Sequence, residues 1–440
     1  MTDVAVTGQV EVPPRDRHLR RNTILGILNG ALFITAESLM SVDTVLTFFV
    51  ERLGGSNFLI GLVGPLRDAG WFLPQLFVSH RLQREPRKMP LYRRVSVIRT
   101  FAWLTWTVAV FVVRDYALLL LIFFVAYSVN SLASGFAGLP FMDIVAKTIP
   151  TRQRGSFFGG RLLYGSLLGL VASGLVAFML SPDNTLPFPL NIGALFIVAT
   201  IAALLGLASF GLMVEPPGEV RDEEDTMTSH VRRAARLPRQ NENLRYFLIT
   251  RIVLFLSFVA MPFYSVYSIN VLGAPPSIIG LYVGVRTLVA LLINPVWSRL
   301  SDRRGNKIVM RLAITCGLIM TLWALLAPLA GQQLKIDPAI IAYSFVPVFA
   351  LWGIYDTGLG IGAINLLLEI APGNDRAIYV GLTNTILGIA YISTIVSGLL
   401  VDWLGYQGVF AIAVVMLGVA LWAVSRIQEP RELVKVTHAD

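Results

Sequence analysis

Long apolar runs, broken by short polar punctuation, fill almost the whole chain. Twelve of them are long enough to cross a bilayer, which takes about 20 predominantly apolar residues. They cover roughly 23–50, 57–79, 91–113, 115–138, 155–180, 188–213, 245–271, 277–297, 308–329, 338–366, 376–400 and 406–426. The runs are long and do not alternate, whereas a transmembrane strand needs only about 9–11 residues with a period of two. The pattern therefore predicts an all-α integral membrane protein. The first run is too long for the core of a signal peptide and is read as the first membrane helix.

Composition agrees with the pattern. Of the 440 residues, 55% are hydrophobic and 14% charged, with mean hydropathy +0.68; soluble domains carry roughly 25% charged residues. A net charge of +9 would suit a nucleic-acid binder, but its placement argues otherwise. Only Arg52, Arg114 and Lys335 fall in the loops assigned to the outside. The basic loops Arg81–Arg94, Lys147–Arg154, Arg221–Arg245 and Arg299–Arg311 all fall on the other side. That is the positive-inside asymmetry. It predicts cytoplasmic termini, a prokaryotic inner or plasma membrane, lipid as the surrounding partner, and no nucleic acid.

The single cysteine, Cys316, lies in an apolar run, and the four histidines avoid the spans, so no disulfide framework or metal site is expected. No Gly-x-x-x-x-Gly-Lys-Ser/Thr phosphate loop occurs. Neither a cofactor nor an ATPase or membrane-enzyme activity is expected.

The chain repeats itself. Leu53-Gly-Gly-Ser-Asn-Phe-Leu-Ile-Gly61 aligns without gaps to Leu272-Gly-Ala-Pro-Pro-Ser-Ile-Ile-Gly280, which places Arg67 on Arg286. Further on, Pro150, Arg154, Phe157 and Gly159 fall on Pro372, Arg376, Tyr379 and Gly381. The predicted organisation is an N-terminal six-helix half (1–214), a central cytoplasmic loop (215–244), a C-terminal six-helix half (245–427) and a cytoplasmic tail (428–440). The central loop holds Asp222-Glu-Glu-Asp225 followed by Arg232, Arg233, Arg236 and Arg239. It reads as a solvated tether whose basic part rests on anionic lipid, with a regulatory docking site as the alternative.

Between the eighth and ninth runs lies Ser298-Arg-Leu-Ser-Asp-Arg-Arg-Gly-Asn-Lys307, a basic turn in which Gly305 permits a tight backbone reversal. It resembles the signature loop of the major facilitator superfamily, Gly-x-Leu-x-Asp-Arg-x-Gly-Arg-Lys. Ser298, Leu300, Asp302, Arg303, Gly305 and Lys307 match or approximate it, with Ser at the first Gly and Asn306 at a basic position. Parallel six-helix halves are also the arrangement of that fold, so the resemblance covers essentially the whole chain. The first half carries an altered copy, His80-Arg-Leu-Gln-Arg-Glu-Pro-Arg-Lys88, with Arg84 and Glu85 where the second half has Asp302 and Arg303. In the family the aspartate of this loop holds adjoining helix ends in one conformational state.

The resemblance implies alternating access, with helices one, four, seven and ten lining a cavity. A charge at membrane depth costs at least about 2.5–3.5 kcal/mol, so each needs a partner or a task. Asp43 and Arg67 each lie twelve residues from the turn at Gly55 and are expected to pair. Arg286 has Pro262 at the matching position instead of an acid. It is a candidate for contact with a substrate anion, with a bridge to an acid of the other half as its alternative. Glu37 and Asp356 are candidate proton carriers, and Arg251 is placed to pair with Asp356. Asp68, Asp143 and Arg161 are read as structural. Tyr127, Asn130, Tyr264, Tyr267, Trp352 and Tyr355 are further candidates for the cavity wall. Glycines four apart, such as Gly165/Gly169 and Gly280/Gly284, allow helices five and eight to approach and slide.

The expected activity is secondary active transport of a small organic solute by a monomer, coupled to protons. The arginine in helix four and the Gly-Pro signature in helix five of proton-linked drug exporters are absent here, as are matching sugar-porter loops in the two halves. A lipid or lipid-precursor flippase on the same fold and a non-transporting membrane sensor are the alternatives.

Overall fold

The computed structural model describes residues 18–82, 85–150, 153–218, 236–334, 338–371 and 376–429. Every regular element among them is helical. The helices are numbered in chain order: α1 Leu19–Arg52, α2 Asn57–Leu82, α3 Met89–Val112, α4 Tyr116–Thr148, α5 Arg154–Met179 and α6 Leu190–Gly211. The second set is α7 Glu242–Asn270, α8 Ile278–Arg304, α9 Asn306–Leu334, α10 Pro338–Ile370, α11 376–404 and α12 406–426.

Among the described residues ten helices are long and apolar enough to cross a membrane, and the sequence reading of twelve is consistent with them. The helix α2, which carries Arg67 and Asp68 side by side, is outside the ten. Residues 382–426 count as one run of 45. A straight helix of that length would span about 67 Å, twice the roughly 30 Å hydrocarbon core. Gly405, at φ 68° and ψ 175°, breaks the run into two crossings.

Four helices predicted to be regular are broken, one of them α11, where Thr394–Val396 form a 3-10 segment. In α1 the residues Val42–Leu46 form a π-helical segment between Leu39 and Thr47. In α7 a 3-10 segment, Phe258–Ala260, precedes Pro262. In α10 the helix pauses between Tyr343 and Val346. Conversely, the ten-residue turn expected at 298–307 is almost all helix. Ser298, Asp302 and Arg303 belong to α8, Lys307 to α9, and Gly305 alone reverses the chain at φ 88°. Polar helix ends are intrinsically compatible with helix and simply project beyond the apolar core.

Cross-half contacts gather at the end bearing the Gly54 and Gly273 turns. Asn57 donates to Asp402 (2.6 Å), Asn270 to Glu51 (3.3 Å), and the Ser397 hydroxyl to the carbonyl of Gly61 (3.4 Å). The break of α1 is tied to α7 by the Ser265 hydroxyl, which donates to the carbonyl of Asp43 (2.9 Å). Helices α5 and α8 touch backbone to backbone, because a Cβ on Gly280 would collide with the amide nitrogen of Ala177.

The opposite, basic-loop end is organised within each half. Glu215 follows α6, and its buried carboxylate accepts from the backbone amides of Lys88 (2.8 Å) and Met89 (2.7 Å) and from Lys147 Nζ (3.0 Å). It thereby caps the N-terminus of α3, where amides lack helical partners. Burial, followed by the neighbouring Lys147 charge, holds the Lys88 ammonium below its ordinary pKa. In the second half Glu429 lies against Gly305, ahead of α9. Asn306, at the basic position of the signature, accepts from the Ser301 hydroxyl (2.6 Å) and donates to Glu369 (3.0 Å). Arg84 and the acid–base knot at 222–233 lie outside the described residues.

Candidate functional site

A cavity of about 440 Å³ opens among α1, α2, α3, α4 and α5. Its wall includes Glu37, Arg67, Asp68, Arg99, Asn130 and Arg161, with Trp71, Trp103, Trp106 and Tyr127 as the aromatic part. Glu37 and Arg67 are solvent-exposed in the middle of their helices.

The cations of the wall are held in different ways. Arg67 pairs with its neighbour Asp68, at 2.9 and 3.4 Å. Arg161 donates to the carbonyl of Gly26 (2.6 Å) and to Asn29 Oδ1 (3.0 Å), and stacks over Phe141 and Phe157, so it braces α5 against α1. Arg99 donates to Asn130 Oδ1 (3.2 Å) and lies 4.9 Å over the Phe33 ring. Among the described residues it forms no ion pair, although the charge of Glu37 reaches it. Glu37 has no hydrogen-bond or ion-pair partner among the described residues. Tyr127 stacks on Phe123 at 5.4 Å. The polar atoms Trp103 Nε1, Trp106 Nε1, Tyr127 Oη and Ser131 Oγ are buried along this wall without a hydrogen-bond partner.

A second cluster joins the halves. Arg286 reaches Asp43 across the interface (3.5 Å) and Asp356 within its own half (3.2 Å), with its guanidinium 4.3 Å over the Trp352 ring. Two sequence expectations are corrected here. Asp43 does not pair with Arg67: equal depth fixes height but not azimuth, and the π-helical segment of α1 turns Asp43 toward α8. Arg251 does not pair with Asp356; it packs over Phe255 at 5.0 Å, while Asp356 goes to Arg286. Arg286 makes the bridge to the other half that stood as its alternative role.

The aromatic candidates of the second half are also reassigned. Tyr264, Tyr267, Trp352 and Tyr355 are at most 1% exposed, belong to its packed core and, unlike the equally buried Trp106, do not line the cavity. Tyr264 bonds Thr321 (2.8 Å) and stacks on Phe410, and Tyr267 packs against Phe345, Tyr406 and Phe410. Tyr355 faces Phe258. Their amphipathic rings look alike in sequence whether they face a cavity or a neighbouring helix. Sequence alone does not single out Arg99, which sits about three turns inside α3 on the side of the basic loop. Its spacing from Glu37 and Asn130 is legible only in three dimensions.

Residues 246–440 match the Major Facilitator Superfamily family model, and the helical arrangement extends that likeness to the first half. The family likeness in sequence is therefore confined to the second half, while the whole chain has the fold of the solved transporters that follow. The crystal structure of a nucleoside transporter NupG variant superposes with TM-score 0.68 at 14% identity, covering 93% of this chain and 99% of that one. A D-xylose-proton symporter superposes at 0.67 and 16%, covering 94% and 99%. An inward-facing bacterial homologue of the iron transporter ferroportin gives 0.62 and 16%, covering 93% and 100%. No curated protein matches the sequence. The two clusters fall only partly on the helices expected to line a cavity, since Arg67, Arg99, Arg161 and Arg286 lie on α2, α3, α5 and α8. Glu37 and Asp43 lie on α1, Asn130 on α4, and Asp356 on α10.

Proposed function

We propose that the chain is a proton-coupled secondary transporter of a small organic solute, working by alternating access in a prokaryotic inner membrane with both termini cytoplasmic. The observation that carries this reading is the cavity of the first half, whose wall holds Glu37, an exposed mid-helix carboxylate with no ion pair among the described residues. Such a group can take up a proton when the cavity faces one side and release it on the other, because desolvation and neighbouring charge shift its proton affinity as the path closes. Asp356, exposed and bonded to Arg286, is the second candidate carrier. The Asp43–Arg286–Asp356 cluster is the latch: it joins the two halves and must part for the solute to reach the other side. A proton symporter among the structural neighbours supports gradient coupling. An organic solute suits the aromatic wall better than a metal cation does; among the described residues no three His, Cys, Asp or Glu converge.

Proteoliposomes holding the purified chain test the reading. A panel of organic anions, sugars and amphiphiles is offered with and without an imposed pH gradient. At least one solute should accumulate with the gradient and merely equilibrate without it. Accumulation that ignores the pH gradient would overturn the coupling, and no movement of any solute would overturn transport.

A further inference from the structure

We infer that the solute is a ring-bearing organic monocarboxylate, seated with its carboxylate at Arg99 and Asn130 and its ring against Trp103, Trp106 and Tyr127. This rests on the transport reading above and names its substrate class. Three cations and two carboxylates line the cavity, a formal excess of one positive charge. Two of the cations are committed. Arg67 is neutralised by Asp68, and Arg161 is held by a backbone carbonyl and an amide oxygen. Among the described residues Arg99 has only the neutral Asn130 oxygen and the face of Phe33. A guanidinium desolvated at this depth without an anion is costly, and a carboxylate is the planar partner its fork fits.

The rest of the wall indicates what the carboxylate is attached to. Trp103, Trp106 and Tyr127 form a continuous aromatic face, with Trp106 4.7 Å from Trp103 and 6.1 Å from Tyr127. Aromatic pairs at such spacings favour offset or edge-to-face contact with a further ring. The volume lies within the range of small-molecule pockets. Glu37 adds a consequence. An anion at Arg99 places a second negative charge near Glu37, so substrate and proton favour each other's binding, and anion and proton travel together.

Equilibrium dialysis of the full-length protein in detergent, with radiolabelled indole-3-acetate as probe, tests the assignment without needing a gradient. Saturable binding is expected, with indole-3-acetamide, acetate and tryptamine each competing at least tenfold less well. Arg99→Gln should weaken binding at least tenfold while the protein stays monodisperse. Asn130→Asp gives Arg99 a carboxylate of its own and should weaken binding as much. It decides the matter if Arg99→Gln fails to fold. Equal competition by the neutral amide, preference for tryptamine, unchanged affinity in both variants, or no saturable binding at millimolar concentration would each overturn the assignment. If proteoliposomes then exchange some other solute of the panel, the substrate class is wrong but transport stands. If they exchange none, the transport reading falls with it.

Discussion

Arg67 and Arg286 occupy the same place in two copies of one six-helix plan, yet they do opposite things. Arg67 turns to its own neighbour Asp68 and leaves the interface to others. Arg286 has no acid at the matching place on its hairpin, so it reaches across to Asp43 and sideways to Asp356. The contrast extends to the surroundings. The first half keeps a polar cavity with Glu37 and Arg99 on its wall, whereas the second fills the corresponding region with Tyr264, Tyr267, Trp352 and Tyr355. Duplication repeats the backbone, and the side chains then divide the labour. On the proposed reading, one half holds the binding chemistry and the other is a stiff body that closes over it.

The largest expected effect comes from breaking the bridge. Arg286→Ala leaves the nearly buried Asp43 without its cation, which costs about 3 kcal/mol or more. It should lower the thermal stability of the detergent-solubilised protein and abolish transport. Adding Asp43→Asn should restore most of the stability but not the transport cycle. An Asp43/Arg67 charge swap should rescue nothing, and restored stability in that swap would return the pair to the first hairpin.

Gly280→Val comes next. Its side chain enters the backbone of α5 at Ala177, and overpacking of this kind costs about 1–3 kcal/mol. Expression should fall modestly, but substrate exchange should fall much further, because the halves can no longer meet. Tyr264→Phe is smaller: losing the bond to Thr321 costs about 1 kcal/mol. If the second half is stiffening rather than binding surface, solute affinity should stay within twofold, measured by dialysis. A tenfold loss would restore Tyr264 to the cavity wall. The smallest effect is expected for Arg67→Ala. Its pair with Asp68 is water-exposed, so stability should change by about 1 kcal/mol or less.

The fold was largely legible in the sequence because a bilayer imposes one coarse requirement on each crossing, and the duplicated Leu53 and Leu272 segments reveal the plan. The helix breaks were less legible. Nothing in Ser41-Val-Asp43 separates a π-helical turn from ordinary helix until α7 packs against it. That turn redirects Asp43 and so changes which arginine it meets. Depth could be counted along a hairpin, but azimuth could not, which is why Glu37 and Asn130 were placed on cavity helices while Arg99 was overlooked. The altered first signature has a similar lesson. Glu215 lies 127 residues from Lys88, yet it supplies the carboxylate that caps α3.

The central claim is that the first half carries the proton as well as the solute, and Glu37→Gln tests it most directly. The substitution keeps the size of the side chain and most of its hydrogen bonding while fixing the neutral form. Proteoliposomes with this variant should lose accumulation driven by a pH gradient but keep counterflow of labelled solute, which needs no net proton movement. Full gradient-driven accumulation by Glu37→Gln would contradict the account and pass the proton to Asp356 or to another ion.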